Sequence, residues 1–120
     1  MLSSTTYTYD LIQSVPITRG IYAIWLDDKC IYVGKSSKLR ARVKSHYSGQ
    51  RGSDQFCLYL YDSYIKEVLK GQGASITKVL NSLTKQWARD NLVFSYFECT
   101  NDSEEESNYR KSMKPTLNPL

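Results

Sequence analysis

The chain is poor in the residues that build metal cages and redox centres. Its three cysteines, Cys30, Cys57 and Cys99, are odd in number and widely spaced, with no CxxC pair. That argues against a structural zinc site or a dithiol centre and leaves each thiol expected to be buried and reduced. Histidine occurs once, as His46. No apolar run reaches membrane-spanning length, and the Ser- and Thr-rich start from Met1 to Tyr9 lacks the cationic head and apolar core of a secretory signal. No membrane association is expected, and the expected location is cytoplasmic. No Pro-, Gly- or Ser-rich stretch offers a linker, and no internal repeat occurs. A length of 120 residues at 41% hydrophobic content suits one domain spanning residues 1–120 with a modest core.

Carboxylates are missing from one long window. Between Asp28 and Asp54 there are none, while Lys29, Lys35, Lys38, Arg40, Arg42, Lys44 and Arg51 all fall there, although the net charge is only +4. Such a block attracts polyanions, because neutralising phosphates releases their counterions. Taken alone, it is equally well a solvated basic helix face.

What is present resolves into strands and helices. Gly20 to Trp25 and Cys30 to Val33 are apolar and β-favouring, and the polar Leu26-Asp27-Asp28-Lys29 turns the chain between them. The two runs are expected to pair as an antiparallel hairpin. Alternation points Ile21 and Ala23 to one face and Tyr22 and Ile24 to the other, so that one face packs and the other presents Tyr22. Ser36 or Ser37 caps a helix to about Tyr47, with Leu39 and Val43 as apolar contacts, Gly49 past its end, and Arg42 and His46 on one face. Gln55 to Tyr61 is compatible with a buried strand or a helix; a helix continuing towards Leu69 is preferred, broken at Gly71-Gln72-Gly73. Ser75 then caps an amphipathic helix with Ile76, Val79, Leu80, Leu83 and Trp87 as its packing stripe, ended by Asp90-Asn91. Leu92 to Cys99 is a third strand, and a final helix begins near Asp102 or Ser103 and stops before Pro115. The order ββαααβα fits an α+β domain, a small antiparallel three-stranded sheet flanked by helices.

The strings Gly20-Ile21-Tyr22 and Tyr32-Val33-Gly34, followed by a basic helix with Arg42 and His46, resemble the GIY-YIG nucleases. That family combines a Gly-Ile-Tyr strand, a Tyr-Ile-Gly strand, a helical Arg with His or Tyr four residues on, a later helical Glu, and an Asn after a Pro. Here Val33 replaces the Ile, and Leu39 stands at the usual place before the Arg. The family spacing of Glu to Pro to Asn selects Glu106, Pro115 and Asn118 over Glu104 and Glu105. The resemblance runs from Gly20 to Asn118. Arg110 departs from it, since many members carry an apolar residue one turn after the Glu. Gln50 to Asn91 lies outside the shared motifs, as a seat of target selection or as scaffold.

The resemblance implies metal-dependent hydrolysis of phosphodiester bonds in DNA. Such chemistry needs a base for water, a cation for the phosphorane-like transition state and a stabiliser for the leaving oxygen. Tyr22 is then expected to take the proton of water, with its phenol pKa of about 10 lowered by Arg42, a metal or His46. Tyr32 positions water or phosphate, Arg42 grips phosphate with a planar pair of hydrogen bonds, and Glu106 is the hard oxygen ligand for Mg²⁺ or Mn²⁺. Expected nucleic-acid contacts are Lys35, Ser36, Lys38, Arg40, Lys44 and Asn118. Each residue also has a plainer reading. A strand tyrosine usually packs, His46 complements a helix C-terminus, Ser103-Glu104-Glu105-Glu106 is a capping box, and Asn118 is a terminal turn residue. Held jointly, the plainer readings require five coincidences of identity and spacing. The rival from another class is a non-catalytic nucleic-acid-binding module that retains the fold; a purely structural domain ranks third. Gly34-Lys35-Ser36 lacks the earlier glycine of a phosphate-binding P-loop, because Lys29 stands there. The sequence leaves open whether RNA is also a substrate and whether a homodimer forms, as a double-strand break by one-strand sites would require unless the enzyme reorients.

Overall fold

Three strands pair in the order β2-β1-β3, with β1 (Gly20–Leu26) in the centre and β2 (Lys29–Ser36) and β3 (Leu92–Glu98) antiparallel to it on either side. The computed structural model describes residues 2, 5–68 and 77–119. The hairpin turns at Asp27, whose φ of 52° lies in the left-handed region that Asp tolerates better than most side chains. Among the described residues four α-helices follow the hairpin: α1 (Leu39–His46), α2 (Gln55–Leu60), α3 (Thr77–Asn91) and, after β3, α4 (Asp102–Met113). The order ββαααβα and the α+β class are those read from the sequence. A 3₁₀ turn at Tyr9–Ser14, unassigned by the sequence, precedes the sheet, and α2 runs on as a π-helical turn at Tyr61–Ile65.

The segment compatible with strand or helix is helical because Asp54 caps it, its side chain accepting the Cys57 N–H at 3.0 Å. α1 has no serine cap; Lys38 stands at its N-cap, and Ser36 Oγ accepts the Lys38 N–H at 2.9 Å. The orphan N–H groups of Leu39 and Arg40 are instead taken by the carbonyls of Thr18 and Pro16, at 3.0 Å each, which ties α1 to the chain entering β1.

Both faces of the sheet are covered. On one, Tyr22, Ile24, Ile31 and Phe94 pack with Leu39, Val43, Tyr47 and Phe56; on the other, Ile21, Ala23, Cys30 and Val33 pack with Tyr109 and Met113 of α4. This corrects the expectation that the Tyr22 face is presented: Tyr22 is 1% exposed. A central strand with helices on both sides buries both alternations, and Ile21, Ala23 and Ile24 are indeed all apolar. A bulge adds a second correction to simple alternation. Ile24 pairs with Tyr32 but Trp25 with Cys30, so Ile31 is the extra residue and joins Tyr32 on the Tyr22 face.

In α3 the buried line is Leu80, Thr84 and Ala88, flanked by the partly buried Trp87, while Val79 from the expected stripe is exposed. The expected break at Gly71-Gln72-Gly73, the Ser75 cap, Ile76 and the end of the second helix at Leu69 lie outside the described residues. Cys30 and Cys57 are buried, but Cys99 is only half-buried, and none of the three is in a disulfide. No helix among the described residues is long and apolar enough to cross a membrane. The outer edge of β2 is closed by the tail: Leu117 N–H donates to the Ile31 carbonyl at 2.8 Å, and the Asn118 amide binds both backbone groups of Val33.

Candidate active site

The glycines of the two short strings make room for Tyr22. Gly34 lies opposite Tyr22 in the β1–β2 register, and a methyl group placed on it would stand 2.3 Å from the Tyr22 hydroxyl oxygen and 2.4 Å from Cζ. A methyl on Gly20 would meet the Phe97 carbonyl oxygen at 2.2 Å and Leu39 Cδ1 at 2.7 Å. Close approach, in addition to strand conformation, calls for glycine at both places.

Tyr22 begins a buried polar chain. Its hydroxyl lies 2.6 Å from His46 Nε2, and His46 Nδ1 lies 2.8 Å and 3.1 Å from the two Asp54 oxygens. Asp54 Oδ2 also accepts the Ser45 hydroxyl at 2.6 Å, and Oδ1 accepts the Cys57 N–H at 3.0 Å. His46 is 3% exposed and Asp54 8%, so the chain is shielded from water. An ionised carboxylate only accepts, which places the imidazole proton on Nδ1 and leaves the Nε2 lone pair for the Tyr22 O–H. His46 does stand in the last turn of α1, as its plainer reading has it, but its ring is engaged across the fold. Asp54 was missed by sequence reasoning, which assigned it no role. The available signal was its place just before the apolar Phe56-Cys57, as an N-cap eight residues after His46.

The electrostatics of the site oppose a standing phenolate. Burial raises the Tyr22 pKa well above 10.0, Tyr32 adds to the rise, Arg42 pulls it down, and Asp54 and Glu106 push it up again. The expected lowering of this pKa by Arg42 or His46 is therefore corrected: desolvation outweighs Arg42. Tyr32 is raised for the same first reason, burial, with Asp54 and Glu106 adding to it and Arg42 and Arg110 opposing. Burial alone would raise the Asp54 carboxyl, but His46, by its hydrogen bond and, when protonated, its charge, together with the Ser45 hydroxyl and the Cys57 N–H, holds it well below the usual carboxylate range. The neighbouring Cys57 thiol is pushed up to about 12, chiefly by burial, and carries no nucleophilic thiolate.

An acid-stability prediction follows. The Asp54 carboxyl protonates near pH 4 in the unfolded chain and only further down when folded, so its contribution is complete above about pH 4 and lost as the pH falls towards the folded value. In urea unfolding between about pH 6 and about pH 2, the stability advantage of wild type over Asp54→Asn is expected to shrink steadily. A pH-independent gap would show that the Asp54 charge contributes nothing.

Around this chain, Tyr32 and Phe56 frame the imidazole, with ring centroids 5.4 Å and 4.8 Å from that of His46, and Tyr22 and Tyr32 lie near-parallel at 6.2 Å. Arg42 is exposed and Glu106 half-buried, and the charges of both act on both tyrosines. Tyr22, Tyr32 and His46 are thus in direct contact, with Arg42 and Glu106 within electrostatic reach. The capping-box reading of Glu106 does not hold, because α4 starts at Asp102 with Asn101 as N-cap, which puts Ser103 inside the helix. Glu106 pairs instead with Arg110 at 3.9 Å, and Arg110 further donates to the Asn118 carbonyl at 2.8 Å and the Pro119 carbonyl at 3.2 Å.

The expected nucleic-acid contacts divide into two groups. Lys35, Lys38 and Lys44 are exposed, Lys35 with its ammonium 2.5 Å from Ser103 Oγ. Ser36, Lys38 and Arg42 line a shallow cavity of about 290 Å³ with Ser37, Ala41 and Ser45. Arg40 and Asn118 spend their side chains on backbone, Arg40 Nε donating to the Val15 carbonyl at 2.8 Å and Asn118 clasping Val33. No group of three or more His, Cys, Asp or Glu side chains that would cage a metal gathers among the described residues. With Asp54 committed to His46, Glu106 is left as a hard oxygen donor beside the phenols. One carboxylate fits Mg²⁺ or Mn²⁺ when phosphate oxygens and water complete the shell.

A family model described as the GIY-YIG catalytic domain matches residues 18–118. UvrABC system protein C of Fervidobacterium nodosum is 21% identical over 100 residues, covering 78% of this chain and 18% of that protein. The chain thus spans only a small part of that relative's length. Among solved structures, a mutant of bacteriophage T4 EndoII superposes with a TM-score of 0.47 at 20% identity, over 98% of this chain and 78% of that one.

Proposed function

The chain belongs to the GIY-YIG family, and from that membership we propose that it is a divalent-metal-dependent endonuclease hydrolysing phosphodiester bonds in DNA. The observation that carries the proposal is the 2.6 Å contact between Tyr22 and His46 at a site where a cation suited to phosphate, Arg42, and a carboxylate, Glu106, both act on the same phenol. A protein that merely grips DNA needs only the cations.

In this mechanism Arg42 and the basic α1 face draw the phosphate in and hold it, and Tyr32 orients the attacking water. The water oxygen bonds to phosphorus as the P–O ester bond breaks. Its proton goes to the Tyr22 oxygen while the phenol proton passes to His46 Nε2, and the leaving oxygen is protonated from solvent. The raised pKa of Tyr22 favours this relay over a resting phenolate, since the neutral phenol is the stable form. A cation held by Glu106 would supply, when bound, positive charge for the oxygens of the pentacoordinate phosphorus. Tyr22 is 1% exposed, so Tyr32 and Arg42 make the outer contacts with substrate. One such site cuts one strand per engagement; double-strand breaks would follow from a homodimer or from reorientation.

The test is cleavage of labelled duplex, single-stranded and branched DNA with Mg²⁺ or Mn²⁺, against the same reactions in chelator. Products in metal only are expected, while DNA binding persists in chelator and weakens as salt rises. Salt-sensitive binding with no product on any DNA would leave a binding module instead.

A further inference from the structure

We infer that Asp54 is a positioning residue of the reaction, fixing the His46 tautomer so that the imidazole accepts the Tyr22 proton. The geometry alone carries this. His46 is the single histidine of the chain, and its two ring nitrogens have separate partners, Tyr22 on Nε2 at 2.6 Å and Asp54 on Nδ1 at 2.8 Å. The groups facing the ring come from every neighbouring element: Tyr22 from β1, Tyr32 from β2, Phe56 from α2 and Asp54 from the cap of α2. Of these, Asp54 alone can only accept when ionised, so it decides which nitrogen carries the proton. Arg42, one turn earlier on α1, is exposed and acts on the phenols by charge.

Asp54 is itself over-determined. Ser45 and the Cys57 N–H each donate to one of its oxygens, which orients the carboxylate before the imidazole meets it. The site therefore depends on the stretch that lies outside the family motifs: the residue that aims the base belongs to the segment from Gln50 to Asn91. A carboxylate orienting an imidazole that in turn accepts from a hydroxyl is the logic of a catalytic triad, with a phenol in the place of serine.

Asp54→Asn separates orientation from packing. The Cys57 N–H requires an acceptor, which sets the Asn oxygen at the Oδ1 position and its NH₂ at the Oδ2 position, facing Nδ1. A donor there, nearer to Nδ1 at 2.8 Å than the Oδ1 position at 3.1 Å, is expected to move the imidazole proton to Nε2, so the ring donates to Tyr22 and can no longer accept from it. Asp54→Ser is the second variant, since serine still caps α2 but is too short to hold the ring.

The experiment is ¹⁵N NMR of the neutral His46 imidazole in both variants and in wild type, beside cleavage kinetics in Mg²⁺. The expected result is an Nδ1–H tautomer in wild type and a shift to Nε2–H in Asp54→Asn. With it, kcat falls by about 10²-fold at unchanged KM and DNA affinity, and adding Tyr22→Phe costs less than it does in wild type. An unchanged tautomer in Asp54→Asn, or wild-type kcat in either variant, overturns the inference. Its kinetic arm rests on the nuclease reading, but the tautomer arm does not. A wild-type protein that fails to cut sinks that reading, and the Asp54 assignment to catalysis with it, even where the tautomer behaves as expected.

Discussion

Glu106→Gln is expected to lower metal-dependent cleavage by about 10³-fold or more while leaving DNA affinity within about threefold. Glutamine keeps the length and shape of the side chain and removes the charge, the property that a hard divalent cation requires of its ligand. The fold should tolerate the change. The ion pair lost, to Arg110 at 3.9 Å, is long, and Arg110 retains its bonds to the Asn118 and Pro119 carbonyls. Partly exposed pairs of this kind contribute about 1 kcal/mol or less. Removing the carboxylate also removes one of the charges that raise the pKa of Tyr22 and Tyr32, so those phenols should titrate slightly lower in the variant. Cleavage rates, filter binding and a tyrosinate absorbance titration separate the effects. Wild-type cutting by Glu106→Gln would remove Glu106 from the chemistry, and loss of DNA binding would show it to be structural.

Gly34→Ala is expected to destabilise the domain by about 2–4 kcal/mol and to reduce cleavage at least about 10²-fold in the fraction that remains folded. The added methyl would lie 2.3 Å from the Tyr22 hydroxyl oxygen, far inside van der Waals contact. The ring has nowhere to retreat, because Tyr22 is buried in the core with its hydroxyl 2.6 Å from His46. Either the hairpin opens along Tyr22↔Gly34 or the ring swings and breaks the bond to His46. Gly52→Ala is the control: a methyl there meets nothing within 4 Å, so stability and activity should stay at wild-type levels. Urea unfolding with parallel kinetics checks both variants. A stable, fully active Gly34→Ala would mean that the Tyr22 position is not constrained by this glycine.

Much of the fold was legible in the chain. Short-range chemistry places the hairpin, the basic helix, the third strand and the last helix, because strand formers, turn residues and helix stops act over a few residues and need no partner. The family resemblance gathered Tyr22, Tyr32, Arg42, His46 and Glu106 into one site, and the fold brings the first, second and fourth into contact. For Gln55 to Tyr61 the preferred helix is the one that forms, although an apolar run of that length also suits a buried strand; the deciding bond from Cys57 to Asp54 is a matter of capping.

Composition and spacing by themselves determined the class, the strand order along the chain, the family resemblance and the identity of the candidate residues. Tertiary structure alone decided what those residues meet. It buried Tyr22 on a sheet covered from both sides, and it turned Ile31 and Tyr32 to one face through a bulge. Arg40 and Asn118 were assigned to backbone, and Asp54 was set behind His46. Each of these depends on contact between elements separated in sequence. The physical reason is that desolvation and hydrogen-bond partnership belong to the assembled core, and no local pattern encodes the direction from which a neighbour arrives.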